Sequence, residues 1–124
     1  MTDPAMHHHT EKRHLCSELV SMTCAGPGGW YAIAGNLEEI AETSALVLAE
    51  NRVRPGTKVR IRCETNQLKG VVKSCVHDEL GYQVKVRLDP DSRWSERWFT
   101  PQHLLTLTGK IRHQVFPLKI ASGY

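Results

Sequence analysis

The cysteine and histidine side chains have the most direct chemistry in this chain, because thiolates and imidazoles bind metals and thiols form disulfides. The four cysteines are Cys16, Cys24, Cys63 and Cys75. They form no Cys-x-x-Cys pair, and no histidine stands at zinc-ligand spacing from any of them. A free cysteine behaves as a small apolar residue. We therefore predict buried, reduced thiols in a cytoplasmic protein, and no metal site.

Patterns that would indicate catalysis are missing from the sequence. It has no ordered Ser-His-Asp set and no glycine-rich phosphate loop. His77, His103 and His113 are scattered along the chain, and His7-His8-His9 is either a metal-binding tract or an appended tag. We predict a non-catalytic protein without a resident cofactor, and we expect residues 1–10 to be disordered.

The charge of the chain is unevenly divided. Residues 1–50 carry two basic and seven acidic side chains, a net charge of −5, whereas residues 51–124 carry fourteen basic and six acidic side chains, a net charge of +8. Five of the cations alternate with apolar residues in two short segments: Lys58, Arg60, Arg62, Lys85 and Arg87. If the two predicted strands are adjacent, these cations form one basic patch on the outer surface, suited to phosphates or an acidic protein. The other interpretation is a solubilising surface that discourages edge pairing.

The elements that would position these residues are short strands. Period-two alternation and turn signals predict strands at residues 15–23, 30–34, 58–63, 69–76 and 81–88. Gly35-Asn36 is expected to end the second strand. Residues 36–50 are ambiguous, since propensity favours a helix while the alternative is a strand through Ile40, a turn at residues 42–44 and another strand.

Short strands at this spacing, with turn signals between them, indicate a small antiparallel barrel. A hairpin turn is expected at residues 78–81, and Gly70 allows a bend or bulge in the preceding strand. Thr100-Pro101 predicts the start of a short helix that Gly109 ends. Five aromatic residues are expected to pack in the core: Trp30, Tyr31, Trp94, Trp98 and Phe99. For the cluster at residues 94–99 the alternative is exposed stacking on a base or on a protein partner. No apolar run reaches the 18 residues of a membrane span.

With strands in this order, the chain resembles a PilZ domain over residues 13–107. The resemblance depends on a basic entry at Lys12-Arg13-His14, on residues 36–48 followed by the Pro55-Gly56 turn, and on a closing pattern. The closing pattern consists of residues 70–75, residues 81–86, residues 94–101 and His103-Leu104-Leu105. The resemblance implies an all-β, six-stranded antiparallel barrel with a short C-terminal helix. The domain would cover residues 11–108, with residues 109–124 as a tail.

The resemblance also implies a ligand, because many PilZ domains bind cyclic di-GMP through Arg-x-x-x-Arg and (Asp/Asn)-x-Ser-x-x-Gly motifs. Here Arg13 is the only arginine of the first motif, since His9 or Ser17 occupies the other position. In the second motif the three motif positions carry Glu39, Ala41 and Ser44. Alanine has no hydrogen-bonding side chain, and the Cβ of serine disfavours the left-handed backbone that glycine permits.

The sequence therefore predicts a bacterial signalling module with a degenerate nucleotide site, acting through a protein partner. Two alternatives remain open. In the first, Arg13 and Glu39 retain weak cyclic di-GMP binding. In the second, the chain is a basic SH3-like or OB-like barrel that holds RNA or DNA on the strands at residues 58–62 and 85–87.

Overall fold

Seven strands form in the computed structural model, which describes residues 11–106. The strands are β1 (Arg13–Gly26), β2 (Gly29–Ala41), β3 (Ser44–Ala49), β4 (Lys58–Cys63), β5 (Asn66–Asp78), β6 (Gly81–Leu88) and β7 (Leu105–Thr106). A single 3-10 turn at Pro90–Ser92 is the only helical element among the described residues. None of these residues forms a helix with the length and apolarity that a membrane crossing requires.

The strands close into a six-stranded antiparallel barrel. Their order is β2-β3-β6-β5-β4-β1, and pairing between β1 and β2 completes the ring. The short β7 pairs with β1 at His14 and Leu15, outside the ring. The predicted all-β, six-stranded antiparallel barrel is confirmed.

The interior of the barrel is filled by the inward side of each strand. In β4 the apolar residues Val59, Ile61 and Cys63 are buried, while the three intervening cations are exposed. In β6, Val84 and Val86 are both fully buried. Burying an aliphatic side chain of this size contributes about 1.5–3 kcal/mol, so the alternation that stabilises the barrel also directs the cations outward.

Residues 36–50 adopt the strand-turn-strand alternative. β2 continues through Gly35-Asn36 to Ala41, so the predicted end of this strand at Gly35 is wrong. A Cβ on Gly35 would lie 2.6 Å from Cγ1 of Val47, so glycine serves close packing between β2 and β3. Tertiary pairing thus prevails over the helical propensity of the segment.

The predicted helix at Thr100-Pro101 is not formed within residues 100–106. Gln102 instead lies beside β1, where its backbone N–H donates to Oε1 of Glu18 at 2.9 Å. Its carbonyl oxygen accepts the N–H of Ser17 at 3.1 Å. These bonds direct the chain into β7, and the predicted tail at residues 109–124 lies outside the described part of the chain.

Candidate functional site: a pocket and a basic face

Three of the four residues implied by the nucleotide-binding motifs line one pocket. This pocket, of about 180 Å³, lies where β1 begins, β2 ends and β3 and β6 run alongside. Its lining consists of Arg13, Glu39, Ile40, Ser44, Ala45, Leu46 and Lys85.

Strand register explains why these residues meet. Glu39 of β2 lies opposite Leu46 of β3, which in turn lies opposite Lys85 of β6. The β1–β2 register also places Arg13 opposite Ala41. Ala41 is not among the residues that line the pocket, and it is only 1% exposed.

The arginine of the pocket already has an anionic partner from the chain itself. Nη1 of Arg13 lies 3.4 Å from Oε1 of Glu39, and the two side chains are 61% and 25% exposed. An ion pair this exposed contributes at most about 1 kcal/mol to stability. Its larger effect is on binding, since the Glu39 carboxylate would repel a phosphate that approaches Arg13.

A second carboxylate occupies the turn between β2 and β3. Oε2 of Glu11 accepts the backbone N–H of Thr43 at 2.7 Å and its hydroxyl at 2.6 Å. The carboxylate therefore uses two donors that an incoming anion would otherwise meet. The sequence offered no signal for this contact, because the two residues are 32 positions apart and neither belongs to the implied motifs.

The five cations predicted as a partner surface lie on two strands that are not adjacent. β5 separates β4 from β6, and it contributes another exposed cation, Lys69, opposite Arg60. We call the resulting surface the basic face, and it consists of Lys58, Arg60, Arg62, Lys69, Lys85 and Arg87. Across its centre, Val71 of β5 pairs with Lys58 on one side and Arg87 on the other.

Few carboxylates neutralise the basic face. β4 and β6 contain no acidic residue, and β5 has only Asp78, at its last position. Within residues 11–106 one of these cations forms an ion pair, since Nζ of Lys69 lies 3.7 Å from Oδ2 of Asp91 in the 3-10 turn. Because both partners are largely exposed, this pair is weak.

An exposed tryptophan borders the basic face. The guanidinium carbon of Arg60 lies 4.1 Å from the centroid of the Trp30 ring, within the range of a cation–π interaction. Trp30 is 46% exposed and Tyr31 is 44% exposed, so the expectation that both pack in the core is wrong. The cause is that β3 pairs only with residues 35–40 of β2, which leaves this part of the β1–β2 hairpin beyond the end of β3.

The other aromatic cluster is divided between core and surface. Trp94 is 4% exposed, donates from Nε1 to the Phe99 carbonyl oxygen at 3.0 Å, and packs edge-on against His14. Phe99 packs against the core, while Trp98 stays 43% exposed. The expected core packing therefore holds for Trp94 and Phe99.

The cysteines are free thiols, as predicted, and Cys75 alone is only half-buried. Burial, followed by the nearby Cys63, raises the pKa of Cys16 to about 12. Burial, followed by Glu18, raises the pKa of Cys63 to about 12 as well. Thiols this hard to ionise are poor nucleophiles and poor metal ligands near neutral pH.

Among residues 11–106, no group of three or more His, Cys, Asp or Glu side chains could hold a metal ion. His7-His8-His9 lies outside the described residues. No protein-family model matches the chain, and neither a curated protein nor a solved structure matches it. The PilZ resemblance thus stays a prediction.

Proposed function

We propose that this chain is a non-catalytic, PilZ-like regulatory or interaction module whose cyclic di-GMP site is degenerate, and that it acts through a protein partner. The observation that carries the proposal is the ion pair between Arg13 and Glu39 inside the pocket. The one arginine available from the first motif is held by a carboxylate that belongs to the second.

The Glu11 contact to Thr43 supports the same conclusion from the other side of the turn. A cyclic dinucleotide carries two phosphates, and two carboxylates would act against them, that of Glu39 in the pocket and that of Glu11 at the β2–β3 turn. Each unsatisfied polar group costs roughly 1–3 kcal/mol, whereas a micromolar complex has only about 8 kcal/mol in total. Two or three such losses amount to about 2–9 kcal/mol, which weakens binding by about 30-fold or more.

Isothermal titration of the full chain with cyclic di-GMP tests the nucleotide half of the proposal. We expect no saturable heat for the wild type. Glu39→Gln removes the carboxylate that competes with a phosphate for Arg13. Glu38→Gln, one residue away, is the matched control. Saturable heat with one or two sites per wild-type chain would refute the degenerate site and support the retained-binding alternative.

Binding to a protein partner needs a separate measurement. The tagged full chain is purified from its own cells with and without nuclease treatment, and the bound proteins are identified by mass spectrometry. We expect a protein that remains bound after nuclease treatment. If every bound protein is lost with nuclease, or none is recovered, the protein-partner proposal is wrong.

A further inference from the structure

We propose that the basic face, together with Trp30, is a binding surface for single-stranded nucleic acid. The inference does not depend on the pocket or on the proposed function. It combines the two features that such surfaces need, which are cations that follow a phosphate backbone and an exposed aromatic ring on which a base can stack.

Three cations of the basic face lie along β4. Lys58, Arg60 and Arg62 occupy alternate positions of β4 and all point outward. Alternate residues of a strand are about 6.6 Å apart, so these three side chains form an even row. β5 and β6 extend the surface sideways through Lys69 and Arg87.

The aromatic ring lies at the edge of this row. Arg60 pairs with Thr23 of β1, and its guanidinium extends across β1 to Trp30 of β2. A cation on the indole keeps the arginine side chain ordered on the surface. The exposed remainder of the indole is free to stack on a base, and stacking of this kind tolerates any sequence.

Charge and shape together favour a single strand over other anionic partners. A duplex hides its bases inside, so it would use the cations and leave Trp30 unused. An acidic peptide would likewise meet the cations without a planar base to stack. The pairing of Trp30 with Arg60 is the observation that selects single-stranded nucleic acid.

Fluorescence anisotropy with a labelled oligothymidylate tests the proposal on the full chain. For three phosphate contacts, affinity should fall roughly 20-fold between about 50 and about 200 mM salt. Trp30→Ala should weaken binding roughly 5- to 150-fold, the equivalent of one stacked base. Trp98→Ala is the matched control, because Trp98 is exposed to nearly the same degree, 43% against 46%.

Charge reversal tests the cations independently. Arg60→Glu with Arg62→Glu should lower affinity and reduce the salt slope by about 1.4, at about 0.7 per lost contact. Arg97→Glu, outside the basic face, should leave the slope unchanged. Circular dichroism and a thermal melt check folding, and if the double variant unfolds, Lys58→Glu with Lys69→Glu provides the same test.

Three results would overturn the proposal. One is an absence of binding at low salt, and another is binding that Arg60→Glu with Arg62→Glu leaves unchanged. The third is a labelled oligoglutamate or a duplex that binds as tightly as the single strand, with no effect of Trp30→Ala. A protein partner that survives nuclease treatment would leave the proposed function intact even if this surface bound no nucleic acid.

Discussion

Replacing Gly70 with alanine should destabilise the barrel, because the backbone of β6 leaves no room for a Cβ at this position of β5. A Cβ at this position would meet the carbonyl oxygen of Arg87, and it would lie 2.8 Å from Cγ1 of Val86. The oxygen belongs to the backbone of the neighbouring strand, so it cannot move aside as a flexible side chain would. Gly70→Ala therefore forces β5 away from β6.

The size of the effect follows from two opposing contributions. Overpacking of a core typically costs 1–3 kcal/mol, while exchanging glycine for alanine recovers about 0.4–1 kcal/mol through the unfolded chain. The control is Gly28→Ala in the β1–β2 turn, where an added Cβ meets nothing within 4 Å. The same chemical change is made in both variants, so their difference reports the packing at Gly70.

Thermal unfolding followed by circular dichroism measures that difference. The gain through the unfolded chain is common to both variants, so about 1–3 kcal/mol of overpacking remains. At roughly 4–8 °C per kcal/mol for a domain of this size, Gly70→Ala should melt roughly 4–24 °C below Gly28→Ala. Oligothymidylate binding should weaken in parallel, because Gly70 lies between Lys69 and Val71 in the strand that joins the two halves of the basic face. Equal melting temperatures for the two variants would refute the close approach of β5 and β6.

Three further predictions concern titratable groups. The pKa of Cys16 and of Cys63 is raised by burial from an ordinary 9.0 to about 12, so the folded protein holds these protons while the unfolded chain loses them. Their contribution to stability is therefore complete below about pH 9 and falls as pH rises towards 12. Urea titrations at several pH values should show this fall in the free energy of unfolding for the wild type, and should show its loss in the double variant Cys16→Ala with Cys63→Ala. The pKa of Asp78 lies below its ordinary 3.8, mainly because Leu80 donates a backbone hydrogen bond to its carboxylate, and a carbon-13 NMR titration with a midpoint at or above 3.8 would contradict this contact. Glu11→Gln should speed amide hydrogen exchange in the β2–β3 turn, and unchanged protection there would show that the Glu11 contact is unimportant.

The strands whose burial follows local alternation were predictable from the sequence. β4 and β6 follow a strict period of two, and their observed limits, Lys58–Cys63 and Gly81–Leu88, coincide with the predicted strands. The hairpin turn at residues 78–81 was likewise predictable, because Asp78 accepts the N–H groups of Leu80 and Gly81 in a local turn. These features need no information about distant residues.

Features that depend on contacts between residues distant in sequence were not predictable. The capping signal at Thr100-Pro101 is outweighed by Glu18, which binds Gln102 from 84 positions away. The exposure of Trp30 depends on where β3 ends, and no local pattern records that limit. The neutralisation of Arg13 could not be foreseen either, because Glu39 becomes its partner only through the β1–β2 register.

The junction between β1 and β4 has a consequence for how the ring opens. It joins residues 21–24 to residues 59–62 only, although β1 itself is 14 residues long. Transient separation of paired strands should therefore begin at this short β1–β4 junction, before the long β1–β2 hairpin separates. Arg60 and Arg62 lie on the β4 side of this junction. A strand of nucleic acid bound across both strands would therefore slow the opening.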